Sequence, residues 1–225
     1  MNIAVLGTGM VGRTIAGRLQ ELGHTVTVGT RDPQATLARS EPDAMGTAPY
    51  AVWAAAHDGI GSATFAGAAA SAELIVNATS GAASLEVLSR AGNENLAGKV
   101  LVDIANPLDF SQGMPPTLFV KDTDSLGEQI QRTFPEAKVV KTLNTLNADL
   151  MVHPAALPEG SSVFVSGNDD DAKKTVTGLL EEFGHTDVID LGDITTARGT
   201  EMLLPVWLRL WGALGTSAFN FKIVR

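Results

Sequence analysis

The chain has 225 residues, 44% of them hydrophobic and 18% charged, with a formal net charge of −9 and no cysteine. That length suits one α/β domain with a small appendage, and the acidic balance argues against nucleic acid or an anionic membrane as partner. Without cysteine, disulfides, thiolate chemistry and cysteine-ligated zinc are excluded, and no metal site is expected.

The first predicted element is a buried strand, Asn2-Ile3-Ala4-Val5-Leu6, which runs directly into Gly7-Thr8-Gly9-Met10-Val11-Gly12. A helix is predicted over 10–22, because Val11, Ile15, Leu19 and Leu22 recur at spacings of three and four. In the context of strand, turn and helix, G-x-G-x-x-G signals a dinucleotide diphosphate. Its glycines permit the tight turn, the close approach of pyrophosphate and the packing of helix on strand. The diphosphate would rest on the free amides and positive end of the helix.

The second strand, 25–28, ends in Gly29-Thr30-Arg31-Asp32. A carboxylate at this tip would suit a free ribose 2′-hydroxyl, whereas hydroxyl and guanidinium donors suit a 2′-phosphate. Thr30 and Arg31 therefore favour NADP over NAD. Asp32 is the competing ribose acid, but Asp32-Pro33 also reads as the N-cap and first-turn pair of a further helix, and that role is preferred.

Residues 40–61, rich in Ala, Pro and Gly, read as an insertion with a short helix near 50–56. Strands at 63–65 and 74–76 flank a small-residue segment, and a helix at 82–90 and a strand at 100–104 follow. The long irregular stretch 106–124 carries Pro107, Gly113, Pro115 and Pro116, and loops of this length tend to be functional or mobile. Beyond it come a helix at 125–133, a strand at 138–140, the block Thr142-Leu143-Asn144-Thr145 and a short helix. A strand at 162–166, a helix at 169–183 and a strand at 187–190 complete the alternation. The tail, 195–225, reads as helical to about Leu214 and then extended. Its most apolar tract, 202–214, contains Pro205 and Arg209 and is too short to span a bilayer. With no leader pattern at the N-terminus, a cytoplasmic protein is expected. Helices alternating with short β-branched strands predict a Rossmann-type doubly wound parallel sheet with a helical C-terminal appendage, forming a single NADP-binding domain.

Ligands of such sheets bind beyond the carboxyl ends of the strands, which here offer Asn77-Ala78-Thr79, Ala105-Asn106-Pro107 and Leu143-Asn144-Thr145. The Asn77 and Asn106 amides suit ribose hydroxyls and the nicotinamide carboxamide, although both also read as turn residues. A credible proton donor is missing. Tyr50 and His57 lie in the insertion, His24 and His185 lie in helix-to-strand turns, and His153 reads as a surface or packing residue. Lys141 is the best cationic candidate but reads as a solvated strand end. Asn168-Asp169-Asp170-Asp171 reads as a helix cap rather than a metal cluster. The expectation is hydride transfer to an acceptor that needs little help with protons.

The glycine turn with its strand, Val28-Gly29-Thr30-Arg31, Val76-Asn77-Ala78-Thr79 and the block from Val139 to Thr145 resemble the NADP reductases that use the deazaflavin coenzyme F420. They are similar also to the NADPH domain of transmembrane ferric reductases. The resemblance covers nearly the whole chain, with Gly29-Thr30-Arg31 and Lys141-Thr142-Leu143-Asn144-Thr145 as its most specific parts. It implies direct hydride transfer between nicotinamide C4 and deazaflavin C5, governed by the positioning of two rings. It implies Thr8, Gly9, Met10 and Val11 at the diphosphate, and Thr30 and Arg31 at the 2′-phosphate. Asn77, Ala78 and Ala105 would line the nicotinamide half, with Asn144, Thr145 and Pro107 on the acceptor side and no catalytic residue as such. The insertion and the tail look like an actinobacterial-type branch. Trp207 and Trp211, four apart on a helix, read as core or dimer interface rather than ring platform, and Arg209 projects elsewhere, free for an acidic ligand tail. Reduction of a flavin, quinone or small imine, and a non-catalytic NADP(H)-binding sensor, remain alternatives. A homodimer is expected.

Overall fold

The computed structural model describes residues 1–42 and 46–225. β1 (Asn2–Leu6) leads through the glycine turn into α1 (Met10–Glu21), followed by β2 (Thr25–Thr30), α2 (Pro33–Ala38), α3 (Tyr50–Ala55), β3 (Gly61–Thr64) and α4 (Phe65–Ser71). Then come β4 (Leu74–Asn77), α5 (Gly81–Ala91), α6 (Asn93–Leu96), β5 (Val100–Asp103) and a hairpin of β6 (Leu108–Asp109) and β7 (Thr117–Leu118). The remainder is α7 (Leu126–Thr133), β8 (Lys138–Thr142), α8 (Ala148–Val152), β9 (Ser162–Gly167), α9 (Asp170–Phe183), β10 (Asp187–Asp190), α10 (Ala197–Met202) and α11 (Leu204–Leu214).

The eight-stranded sheet has the order β10-β9-β8-β5-β4-β1-β2-β3. Its strands pair in parallel except where β8 meets β9. The doubly wound parallel sheet expected from sequence is thus present, with one antiparallel pairing at β8–β9. The cause lies in the β8–β9 connection. A five-residue α8 rises only about 7.5 Å, less than half the ~17 Å of a five-residue strand, so β9 starts near the end of β8 and runs back beside it. The 14-residue α9, about 21 Å long, does span a strand, and β9 and β10 pair in parallel.

Alternating side chains of β1 feed two apolar layers: Ile3 and Val5 face α1, α8 and α9, while Ala4 and Leu6 face α4, α5 and α7. Both sets are essentially inaccessible, which explains the uninterrupted apolar run of this central strand. Burying a side chain such as Leu19 contributes about 2 kcal/mol. The small-residue segment after β3 is α4, capped by the Thr64 hydroxyl on Gly67 N at 3.1 Å. Its alanines let it lie close on the sheet, and their uniform size conceals the periodicity that would mark a helix. The insertion's α3 docks on α1, with Trp53 stacked on His57 over Gly17. Among the described residues, no helix is long and apolar enough to cross a membrane.

Candidate active site

The turn after β1 is held by contacts that admit only glycine at two positions. Gly7 has φ +124°, and a Cβ there would lie 2.5 Å from the Ala78 carbonyl oxygen; one on Gly12 would collide with the Gly7 carbonyl. Gly9 differs, because a Cβ there would meet nothing within 4 Å and no side chain caps α1. Open space therefore lies over the first amides of a 12-residue helix, which fits the diphosphate of a dinucleotide. Arg13 Nε donates to Thr8 O at 2.7 Å and fixes the turn from behind.

At the β2 tip, the Thr30 hydroxyl bonds that of Thr36 at 2.8 Å, and Arg31 is exposed. The Asp32 carboxylate accepts from Ala35 N at 3.0 Å as the N-cap of α2, which gives it the capping role rather than the ribose.

Beyond the glycine turn opens a cavity of about 1130 Å³, somewhat larger than the usual single-ligand site. Gly9, Met10, Val11, Ala78, Thr79, Ala105 and Asn106 line it, while Gly7, Thr8, Gly12, Thr30, Arg31 and Asn77 do not. The β6–β7 hairpin covers it with Leu108, Phe110 and Phe119. The opposite wall is α11, started by Pro205 in its first turn and stopped by left-handed Gly215. Leu204, Trp207, Leu208 and Trp211, spaced i, i+3, i+4, i+7, face the cavity, so the tryptophan stripe forms a wall of the site rather than only core or interface. Trp207 is also anchored by stacking on Phe219 at 5.3 Å. Among the described lining residues none is His, Lys, Arg or Tyr, and the one ionisable group is Asp109. Hydrogen bonds from Ser111 hold its carboxyl below the usual range, so it stays ionised.

Under the cavity floor lies a buried charged network. Lys141 is fully buried, with Nζ 2.9 Å from both Asp103 Oδ2 and Glu201 Oε1 and 2.5 Å from Ala105 O. Burial depresses the ammonium pKa, but the two carboxylates more than offset this and leave it above the ordinary lysine value. The solvated strand-end lysine expected from sequence is thus overturned, since all three donors are occupied inside the protein. Glu201 also accepts from Leu126 N and Gly127 N at 2.8 and 3.0 Å, at the positive start of α7. Asp103 accepts from Ala105 N and from Asn77 Nδ2. The Asn77 side chain, which also bonds Ser84 and Thr79, is inaccessible and supports the site instead of offering its amide to a ligand.

Asn106 and Asn144 are joined reciprocally: Asn106 Nδ2 donates to Asn144 O at 2.9 Å, and Asn144 Nδ2 donates to Asn106 Oδ1 at 3.0 Å. Leu143, just before, has φ +58°, a left-handed conformation costing a non-glycine residue about 1–2 kcal/mol. Of the Asn144–Thr145 pair only Asn144 lines the cavity; Thr145 is buried away from it. Pro107 is buried at the base of the hairpin, its carbonyl accepting from Phe119 N at 3.0 Å. His153 is exposed at the end of α8, away from the cavity lining. Arg209 lines a smaller outer cleft of about 540 Å³ with Trp211 and Met114. Sequence reasoning missed Asp103 and Glu201. An aspartate closing the apolar run Val-Leu-Val-Asp was the available signal for the first; for the second there was none.

A helix start left open for a phosphate, beside a cavity suited to redox rings, marks an oxidoreductase of the dinucleotide-binding Rossmann class. The family of coenzyme F420-dependent NADP oxidoreductases matches residues 2–107, and the chain belongs to it. A crystal structure of a candidate F420-dependent NADP-reductase from Arthrobacter sp. FB24 is 68% identical, with a TM-score of 0.96 and complete coverage of both chains. The F420-dependent NADP reductase of Methanocaldococcus jannaschii is 30% identical over 118 residues, 52% of each chain. Metalloreductase STEAP3 of Rattus norvegicus is 29% identical over 211 residues, 91% of this chain but 37% of that protein. The chain thus matches about half or less of the length of these two relatives.

Proposed function

We propose that the protein transfers hydride between NADPH and a deazaflavin of the coenzyme F420 type. The observation that carries this reading is the large apolar cavity, continuous with the glycine turn and without a protein proton donor among its described lining residues. When bound, NADPH supplies a hydride from nicotinamide C4, the deazaflavin substrate accepts it at C5, and the net proton comes from solvent. The chain's part is positional. The α1 amides hold the diphosphate, Thr30 and Arg31 hold the 2′-phosphate, and Ala78 and Ala105 shape the floor under the nicotinamide. The hairpin and α11 exclude water from the acceptor side. A homodimer in the cytoplasm belongs to the same proposal; exposed Phe110, Met114, Val206, Trp211 and Leu214 offer apolar surface for a second copy.

The test is to mix the purified protein with NADPH and oxidised deazaflavin, FMN or FAD and to follow absorbance. Rapid bleaching of the deazaflavin, with FMN and FAD much slower, is expected. Preferential reduction of a flavin, or NADPH binding with no turnover, would overturn it.

A further inference from the structure

Resting on that function, we propose that Asn144 sets the chemical class of the redox partner: its Oδ1 accepts a hydrogen bond from a ring N–H. The cavity then selects rings carrying an imide or amide N–H over rings that carry only carbonyls.

The neighbours of Asn144 decide which end of its amide faces the ligand. The Asn144 backbone carbonyl takes Asn106 Nδ2, so Asn106 turns its Oδ1 toward the Asn144 side chain. Asn144 Nδ2 gives one hydrogen to that oxygen at 3.0 Å and the other to the Thr200 backbone carbonyl, also at 3.0 Å. Both donors are consumed. Its Oδ1 has no partner among the described residues and, unlike the sealed indole Nε1 of Trp207, remains accessible. The cavity is what Asn144 lines, and the residue is only 3% exposed. What it presents there is a pure acceptor, held from two sides and aimed by the left-handed turn at Leu143. A carbonyl in an apolar wall favours a ligand that brings a donor and disfavours one that sets a second carbonyl against it.

The pyrimidine imide of deazaflavins and flavins carries such an N–H; simple quinones do not. The nicotinamide carboxamide is the other source of an N–H, and the test separates the two. Dissociation constants of an oxidised deazaflavin and its imide N-methyl derivative are measured by quenching of tryptophan fluorescence, with wild type and Asn144→Ala. N-methylation should weaken binding to wild type about tenfold and make little difference to Asn144→Ala. NADPH should bind both proteins equally. Equal binding of the methylated and unmethylated rings by wild type would overturn the proposal without needing any variant to fold. If Asn144→Ala weakens NADPH but not its 3-acetylpyridine analogue, which lacks the carboxamide N–H, the donor is the nicotinamide and the assignment to the acceptor fails. If no deazaflavin is reduced, the proposed function fails, yet the methylation comparison on whichever ring binds still decides the role of Asn144. Binding of neither ring overturns both.

Discussion

Lys141 and Glu201, 2.9 Å apart and both sealed from solvent, join the end of β8 to the C-terminal helices. Together with Asp103 they place two carboxylates around one ammonium, and the start of α7 supplies the remaining positive potential. Removing the lysine would leave two uncompensated buried charges. Lys141→Met should therefore cost about 3–5 kcal/mol in urea unfolding. Adding Asp103→Asn and Glu201→Gln to that variant should recover part of the loss. A cost below about 1 kcal/mol would show that the network is not the joint described.

Two glycines of the turn should separate by phenotype. Gly12→Ala forces a side chain against the Gly7 carbonyl, and a stability loss of about 1–3 kcal/mol is expected. Gly9→Ala places its methyl in open space, so melting without ligand should hardly change while NADPH affinity drops at least tenfold. Calorimetry of the free proteins and titration with NADPH check the pair, and unchanged NADPH affinity in Gly9→Ala would count against the diphosphate site.

On the proposed function, Arg31 serves the cofactor's 2′-phosphate alone. A charge-assisted hydrogen bond lost from Arg31→Ala should weaken NADPH by about 2 kcal/mol, roughly thirtyfold, and leave NADH unaffected. Equal losses for both dinucleotides would remove the 2′-phosphate from this position.

His185 supplies a pH dependence. Its Nε2 donates to Met151 O at 2.9 Å, its Nδ1 is buried without a partner, and burial holds the imidazole below its ordinary pKa of 6.5. The unfolded chain therefore binds the proton more readily than the folded one. The associated stability is fully present above pH about 6.5 and is lost as pH falls through the lower folded value. Urea midpoints measured from pH 7.5 downward should decline through this window, and His185→Gln should flatten that part of the curve.

Legibility in the sequence followed the range of the interactions. The glycine turn and the Asp32 cap are local, and their residue types sufficed. The Lys141 network was hidden because Asp103 and Lys141 become opposite partners only once β5 and β8 pair, across an intervening hairpin and helix. Glu201 enters from a six-residue helix with no pattern of its own. β6 and β7 are two residues each, too short for any alternation to show, so the cavity's roof read as an irregular loop. The reversal of β9 was implicit in the shortness of the helical segment after Asn144, because strand direction depends on how far the connecting helix carries the chain rather than on composition.

That reversal reaches beyond the sheet. Because β9 and β10 run back from the ligand edge, the chain must return along α10 to deliver Thr200 and Glu201 to the floor and α11 to the wall. The glycine turn and the α11 wall, far apart in sequence, consequently meet across one cavity. On the proposed function they are separable parts: changes in α11 alter which ring is accepted, while the α1 amides keep the dinucleotide. One condition binds every such change, since a C-terminal segment that fails to bring an acid to Lys141 leaves both that lysine's third bond and the first amides of α7 bare.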